Sequence, residues 1–247
     1  MLKLIKYEFR KTMFSKFILL LITAIAELLF LLGVFFKYEN GLFFGIAGLV
    51  LCAGVGIIYI GIESLLVFQR DLNTKQSYML FLTPRNSFQI LGSKAIENGL
   101  SILFTGAFFF ALAMLDGTIA ILYIGGLEEF LDLLNHVFMS VSINFDAKCQ
   151  EVLIVVMASL TSWLMTIATG YLAIVLCATV FAGKRFSGLI SIIFFLILNC
   201  ISGSVINHLP EVEDWIVRFE FVIVTSIILS IIMYLITSLI MERKLSV

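Results

Sequence analysis

The sequence predicts an all-α polytopic membrane protein with six transmembrane helices, and three observations carry that prediction. Of the 247 residues, 61% are hydrophobic and 13% charged, against roughly 45–50% and about 25% in soluble domains. The apolar residues gather in six long runs, and a hydrocarbon core of about 30 Å takes about 20 helical residues to cross. Most charged residues fall between those runs. Strands are excluded in such runs, because open strand edges would leave amide groups facing lipid without partners.

The chain begins with MLKLIKYEFRKTMF, in which Leu2, Ile5, Phe9 and Met13 recur at steps of three and four while Lys3, Lys6 and Arg10 occupy another flank. This pattern predicts an amphipathic helix over 1–15, lying on the inner leaflet with its basic face toward anionic headgroups. The same bases also serve as the topogenic flank of the first span. Residues 16–247 form the six-span domain, with spans at about 17–36, 41–68, 96–115, 152–182, 187–206 and 219–240. Ala24-Ile25-Ala26 has the small-x-small form of a signal-peptidase site, but the apolar run continues to Phe36, too long for a cleaved leader. It is expected to remain as an anchor.

Basic residues set the orientation, since cytoplasmic loops retain Lys and Arg. With the N-terminus inside, 13 of the 16 basic residues are cytoplasmic, and Lys37, Lys148 and Arg218 alone lie outside. Acidic residues collect on the outer side, among them Glu128, Glu129, Asp132, Glu211 and Asp214. Both termini are therefore expected in the cytoplasm. The net charge of −1 gives no reason to invoke nucleic acid.

Span two carries Gly41, Gly45, Gly48, Cys52 and Gly56, a small-residue stripe that lets another backbone approach, either within the chain or from a second subunit. In span one, Glu27 falls near mid-bilayer, where an acidic residue costs about 2.5–3.5 kcal/mol on insertion scales. It is expected to face a central cleft and contact cationic or amphipathic cargo, or to hydrogen-bond between helices. Asn199, Ser202, Ser204 and Asn207 make the outer half of span five the most polar. Asn199 and Ser202 are thus further candidates for a pathway lining.

The loop between spans two and three, about 69–95, is polar and basic and is punctuated by Thr83-Pro84. Asn73 with Gln76, and Asn86 with Gln89, have the spacing of helix starts. A short helix over about 74–82 must end before Pro84, and it is too short to span. The segment 117–150 reads as an outer amphipathic helix. Its residues Leu127, Phe130, Leu131, Leu134, Val137 and Phe138 lie opposite Glu128, Glu129, Asp132 and His136; it either covers a pathway exit or simply packs. Trp215, in the short outer segment before span six, is placed to anchor at headgroup level.

Four cysteines and two histidines show no disulfide, metal or catalytic spacing, so neither a catalytic residue nor a metal ligand is assigned. No phosphate loop G-x-x-x-x-G-K-[ST] occurs, and an enzyme is not expected.

The order of an amphipathic basic N-terminus, six spans, and an inner loop reading short helix, Thr83-Pro84, polar cap and then ILGSK resembles the type-two ABC exporter permeases. The resemblance implies a cytoplasmic coupling helix between spans two and three that docks on a separate ATP-binding-cassette ATPase subunit. Its contacts would come from Asn73, Thr74, Gln76, Ser77, Tyr78 and Met79. It also implies a second permease subunit, as homodimer or heterodimer, with ATP and Mg bound by the ATPase rather than by this chain. The expected cargo is hydrophobic or amphipathic, best matched by peptides such as bacteriocins or toxin peptides. The segment between spans five and six, 207–220, is short for the re-entrant helices of that family. The alternative is a secondary transporter or channel that works without an ATPase.

Overall fold

The computed structural model describes residues 2–73, 86–124, 149–180, 187–210 and 214–244, and everything described is helix or short connection. The helices are α1 (Leu2–Phe35), α2 (Glu39–Asn73), α3 (Ser87–Ile124), α4 (Cys149–Val180), α5 (Ser187–Asn207) and α6 (Trp215–Lys244). Each is long and apolar enough to cross a membrane.

The predicted spans are recovered, with differences of extent that are largest in α1 and α3. Helix α1 continues without interruption through residue 15, so the amphipathic segment and the first span form one helix of 34 residues. At about 1.5 Å per residue it is about 51 Å long, well beyond a core of about 30 Å. Within its first turns Glu8 and Thr12 are buried and Met13 is 68% exposed, so the inward side is not simply the apolar stripe. Helix α3 continues nine residues past the expected end at 115, through Asp116-Gly117 to Ile124. Residues 117–124 therefore belong to the third helix rather than to a separate outer segment. The expected short helix over 74–82 and the rest of the outer segment, 125–148, lie outside the described residues.

The chain divides into two compact units. Unit 1 comprises Met1–Glu8, Glu63–Gly99 and Asp146–Val247, and unit 2 comprises Phe9–Ile62 and Leu100–Phe145.

Unit 1 is built around α4, whose best spanning window is 56% buried, against at most 28% for the other helices. Helix α4 packs on α5 and α6, and α5 on α6. Its core joins Phe68 of α2, Leu91 of α3, Ile167, Tyr171, Ile174 and Val175 of α4, and Met241 of α6. Gly170 lets Leu65 approach so closely that a Cβ there would meet its side chain at 2.6 Å. Tyr171 then bonds Ser64 at 2.7 Å through its hydroxyl and stands edge-on to Phe68. The Tyr234 hydroxyl of α6 donates to the Phe88 carbonyl at 2.6 Å. Asp214 caps α6 by accepting from the Ile216 amide at 3.0 Å, leaving Trp215 at the helix start, 44% exposed.

Unit 2 contains the hairpin of α1 and α2. The Tyr38 amide donates to the Gly33 carbonyl at 3.0 Å and the Lys37 amide to Val34 at 3.3 Å. This is the Schellman pattern, with Lys37 at φ 51° in the left-handed position. The glycine stripe of α2 then meets α1: a Cβ on Gly45 would lie 2.5 Å from the Phe30 Cα, and one on Gly48 3.3 Å from the Ala26 Cβ. The stripe thus serves a contact within this chain. Phe30, Val34, Leu42, Ile46 and Ala120 of α3 form the core of this unit.

Candidate functional site

Two buried charge clusters stand out, one in each unit. In unit 1, Lys94 on α3 donates to Glu8 Oε2 at 2.9 Å and to Asp71 Oδ2 at 2.6 Å. All three side chains are at most 4% exposed. The ammonium also lies 5.8 Å from the centroid of the Phe68 ring.

The placement of this triad follows from local sequence. Asp71 sits two residues before α2 ends at Asn73. Helix α3 starts at Ser87, directly after Asn86, whose carbonyl accepts from the Gln89 and Ile90 amides at 2.8 and 3.2 Å. Two turns later comes Lys94. The triad therefore ties together the two roots of segment 74–86 and the start of α1. Phe68 and Leu91 insert beside these roots into the core of unit 1.

Burying one cation between two carboxylates carries a desolvation cost of several kcal/mol per ion, which close pairing offsets. Such a cluster fixes geometry, because removing Lys94 takes the shared cation from two buried acids.

Of the residues expected to contact an ATPase, Asn73 is the last residue of α2 rather than the start of a new helix. Thr74, Gln76, Ser77, Tyr78 and Met79 lie outside the described residues. Asn199 and Ser202 come together on α5 in unit 1, one half-buried and the other 1% exposed with its hydroxyl unpartnered among the described residues. Glu27 belongs to unit 2, so the structure does not assemble the three expected pathway residues in one unit.

In unit 2, Glu27 on α1 meets Asp116 on α3, side chain to side chain. Asp116 is 8% exposed and Glu27 half-buried. Neither Glu27 Oε2 nor Asp116 Oδ1 has a protein donor among the described residues. Asp116 was not anticipated, and neither were Glu8 and Asp71. The available signal was that Glu8 is the one acid in a basic segment and Asp116 one of the few acids inside an apolar helix.

Unit 2 also holds a cavity of about 180 Å³, walled by Phe9, Leu19, Phe104, Phe108 and Phe109. At its polar end Lys16 donates to the Ser101 hydroxyl at 2.6 Å and stands 4.4 Å from the centroid of the Phe9 ring. Its chemistry is an aromatic trough with one cation.

Among the described residues no group of three or more His, Cys, Asp or Glu side chains is placed to hold a metal ion. No protein-family model, no curated protein and no solved structure matches the chain.

Proposed function

We propose that this chain is the permease subunit of an ATP-driven ABC exporter, paired with a second permease subunit and with separate ATP-binding-cassette subunits that hydrolyse ATP. The observation that carries the reading is the buried Glu8–Lys94–Asp71 tie. A segment that receives force must be rooted in something rigid, and both roots of 74–86 are pinned by an ion triad and by the core of unit 1. A push on 74–86 would be delivered to α4, α5 and α6 and to the start of α1. Because the sequence carries no phosphate loop of its own, the energy would arrive through that segment from a partner. The partner must bind two states of the permease with different free energies, typically by about 1–3 kcal/mol.

The aromatic trough with Lys16 at one end supports a hydrophobic or amphipathic cargo, with peptides the preferred class. The charge distribution supports a cell membrane with both termini in the cytoplasm.

A second reading, a transporter working without an ATPase, is favoured by one observation, the buried carboxyl pair of Glu27 and Asp116. Photo-crosslinking separates the two. A photoreactive residue at Gln76 or Tyr78, in a chain co-expressed with a candidate ATP-binding-cassette subunit, is expected to capture that subunit. Crosslinks only to lipid or to the chain itself would contradict the exporter reading.

A further inference from the structure

We propose that the aromatic trough of unit 2 holds one anionic phospholipid from the leaflet on the N-terminal side of α1, with its phosphate at Lys16 and one acyl chain laid along the phenylalanines. An amphipathic cargo entering the same trough would have to displace this lipid, and the site stands whether or not an ATPase drives the chain.

Depth comes first. Lys16 lies 19 residues before the end of α1 at Phe35, or about 29 Å along the axis, close to the whole thickness of a hydrocarbon core of about 30 Å. The far boundary is marked by the polar turn of Lys37, Tyr38 and Glu39. Lys16 therefore stands at the near boundary, where lipid headgroups begin. Its side chain leans further that way, since helical side chains tilt toward the N-terminus and the ammonium lies 4.4 Å from the centroid of the Phe9 ring, seven residues earlier. A lysine that reaches out of the apolar layer in this manner presents its charge at headgroup level.

The second step is the course of the trough. Helices α1 and α3 run in the same direction, because Lys16 meets Ser101 toward one end and the Phe35 ring stands edge-on to Tyr123 toward the other. From Lys16 the walls thus continue deeper into the apolar layer, through Leu19 and Leu20 on one side and Phe104 and Phe108 on the other. Phe104 and Phe108 are 66% and 42% exposed, so the trough opens sideways to lipid rather than closing inside the protein. At about 180 Å³ it falls below the roughly 300–1,000 Å³ of a drug-sized site, which suits one slender apolar chain.

Charge then selects the headgroup. The lining residues hold one cation and no acid. Ser101 accepts from Lys16 at 2.6 Å, but a neutral hydroxyl does not cancel the charge of an ammonium. Along α1 from Phe9 to Ala26 and along α3 from Asn98 to Leu115, the sequence has Arg10, Lys11 and Lys16 and no Asp or Glu. A zwitterionic lipid carries its own cation to this end of the trough, whereas an anionic one brings only the phosphate that Lys16 attracts. Lys3, Lys6 and Arg10 are exposed on the preceding turns and draw anionic lipids to the same side. None of the three lines the trough.

The test uses the full chain in detergent, supplied with equal amounts of phosphatidylglycerol and phosphatidylcholine and read by native mass spectrometry. The wild type is expected to retain phosphatidylglycerol about fivefold over phosphatidylcholine, the ratio that one near-surface cation provides. Lys16→Gln is expected to lose that preference and Lys6→Gln, outside the trough, to keep it. Inorganic phosphate is expected to leave the bound lipid in place, since it brings no chain for the phenylalanines. Equal retention of both lipids by the wild type, a preference that survives Lys16→Gln, equal losses in the two variants, or displacement by inorganic phosphate would each overturn the proposal. Should Lys16→Gln not fold, the wild type itself is read with phosphatidylglycerol bearing a photoreactive acyl chain. Labelling of residues 104–109, displaced by unlabelled phosphatidylglycerol and not by phosphatidylcholine, supports the site. Labelling that is as strong on α5 and α6, or that both lipids displace equally, contradicts it.

Discussion

The two units bury acids in opposite ways. In unit 1, Glu8 and Asp71 flank Lys94 at 2.9 and 2.6 Å, and each acid meets a cation. In unit 2, Glu27 and Asp116 meet each other, with oxygens that no described donor satisfies. The cost of burying charge is similar in kind, but only the first cluster contains a cation, which its two acids share. That shared cation makes the first cluster a structural tie, whereas the second brings two acids together without one of its own.

The most forceful way to break this contrast is to remove the cation. Lys94→Met takes the shared cation from two buried carboxylates, and breaking a buried pair costs about 3–5 kcal/mol. Denaturant unfolding in detergent should register a loss of that size. The triple change E8Q/D71N/K94M, which removes every charge, should recover most of it. A mild effect of Lys94→Met alone would mean that the triad is not a tie.

A smaller effect is expected where the units rely on packing rather than charge. Gly45→Val in unit 2 puts atoms where the Phe30 backbone lies 2.5 Å from a Cβ, and overpacking costs about 1–3 kcal/mol. Gly54→Ala, at a position with open space around it, is the control and should be near neutral in the same assay. Equal losses at both glycines would remove the α1–α2 contact from the account.

The smallest change is expected at the carboxyl pair. Glu27→Gln puts an amide donor beside the Asp116 carboxyl, so it should alter stability by less than about 1 kcal/mol, within the range of one hydrogen bond. The opposed outcomes at Lys94 and Glu27 sharpen the comparison, because each substitution changes one ionisable member of its cluster.

Much of the architecture was legible from composition. The six spans, the helix start after Asn86 and the close-packing use of Gly45 and Gly48 all follow from apolar runs, caps and small-residue spacing, which are local signals. What escaped was pairing between helices. Lys94 reads as a topogenic base and Asp71, beside Arg70, as part of a solvated loop, because nothing in one dimension shows that Lys94 reaches both Asp71 and Glu8. Asp116-Gly117 reads as the end of an apolar run, yet α3 continues to Ile124. Glu27 itself was recognised as needing a partner, either cargo or another helix, and it meets Asp116 of α3.

The central functional claim is that segment 74–79 couples this chain to an ATPase. It is tested most directly by measuring ATP hydrolysis in nanodiscs that contain the ATP-binding-cassette subunit with either the wild-type chain or one carrying alanine at 74, 76, 77, 78 and 79. The account predicts a chain-dependent hydrolysis rate with the wild type, and loss of both that rate and co-purification with the alanine chain. Retention of both by the alanine chain would contradict it.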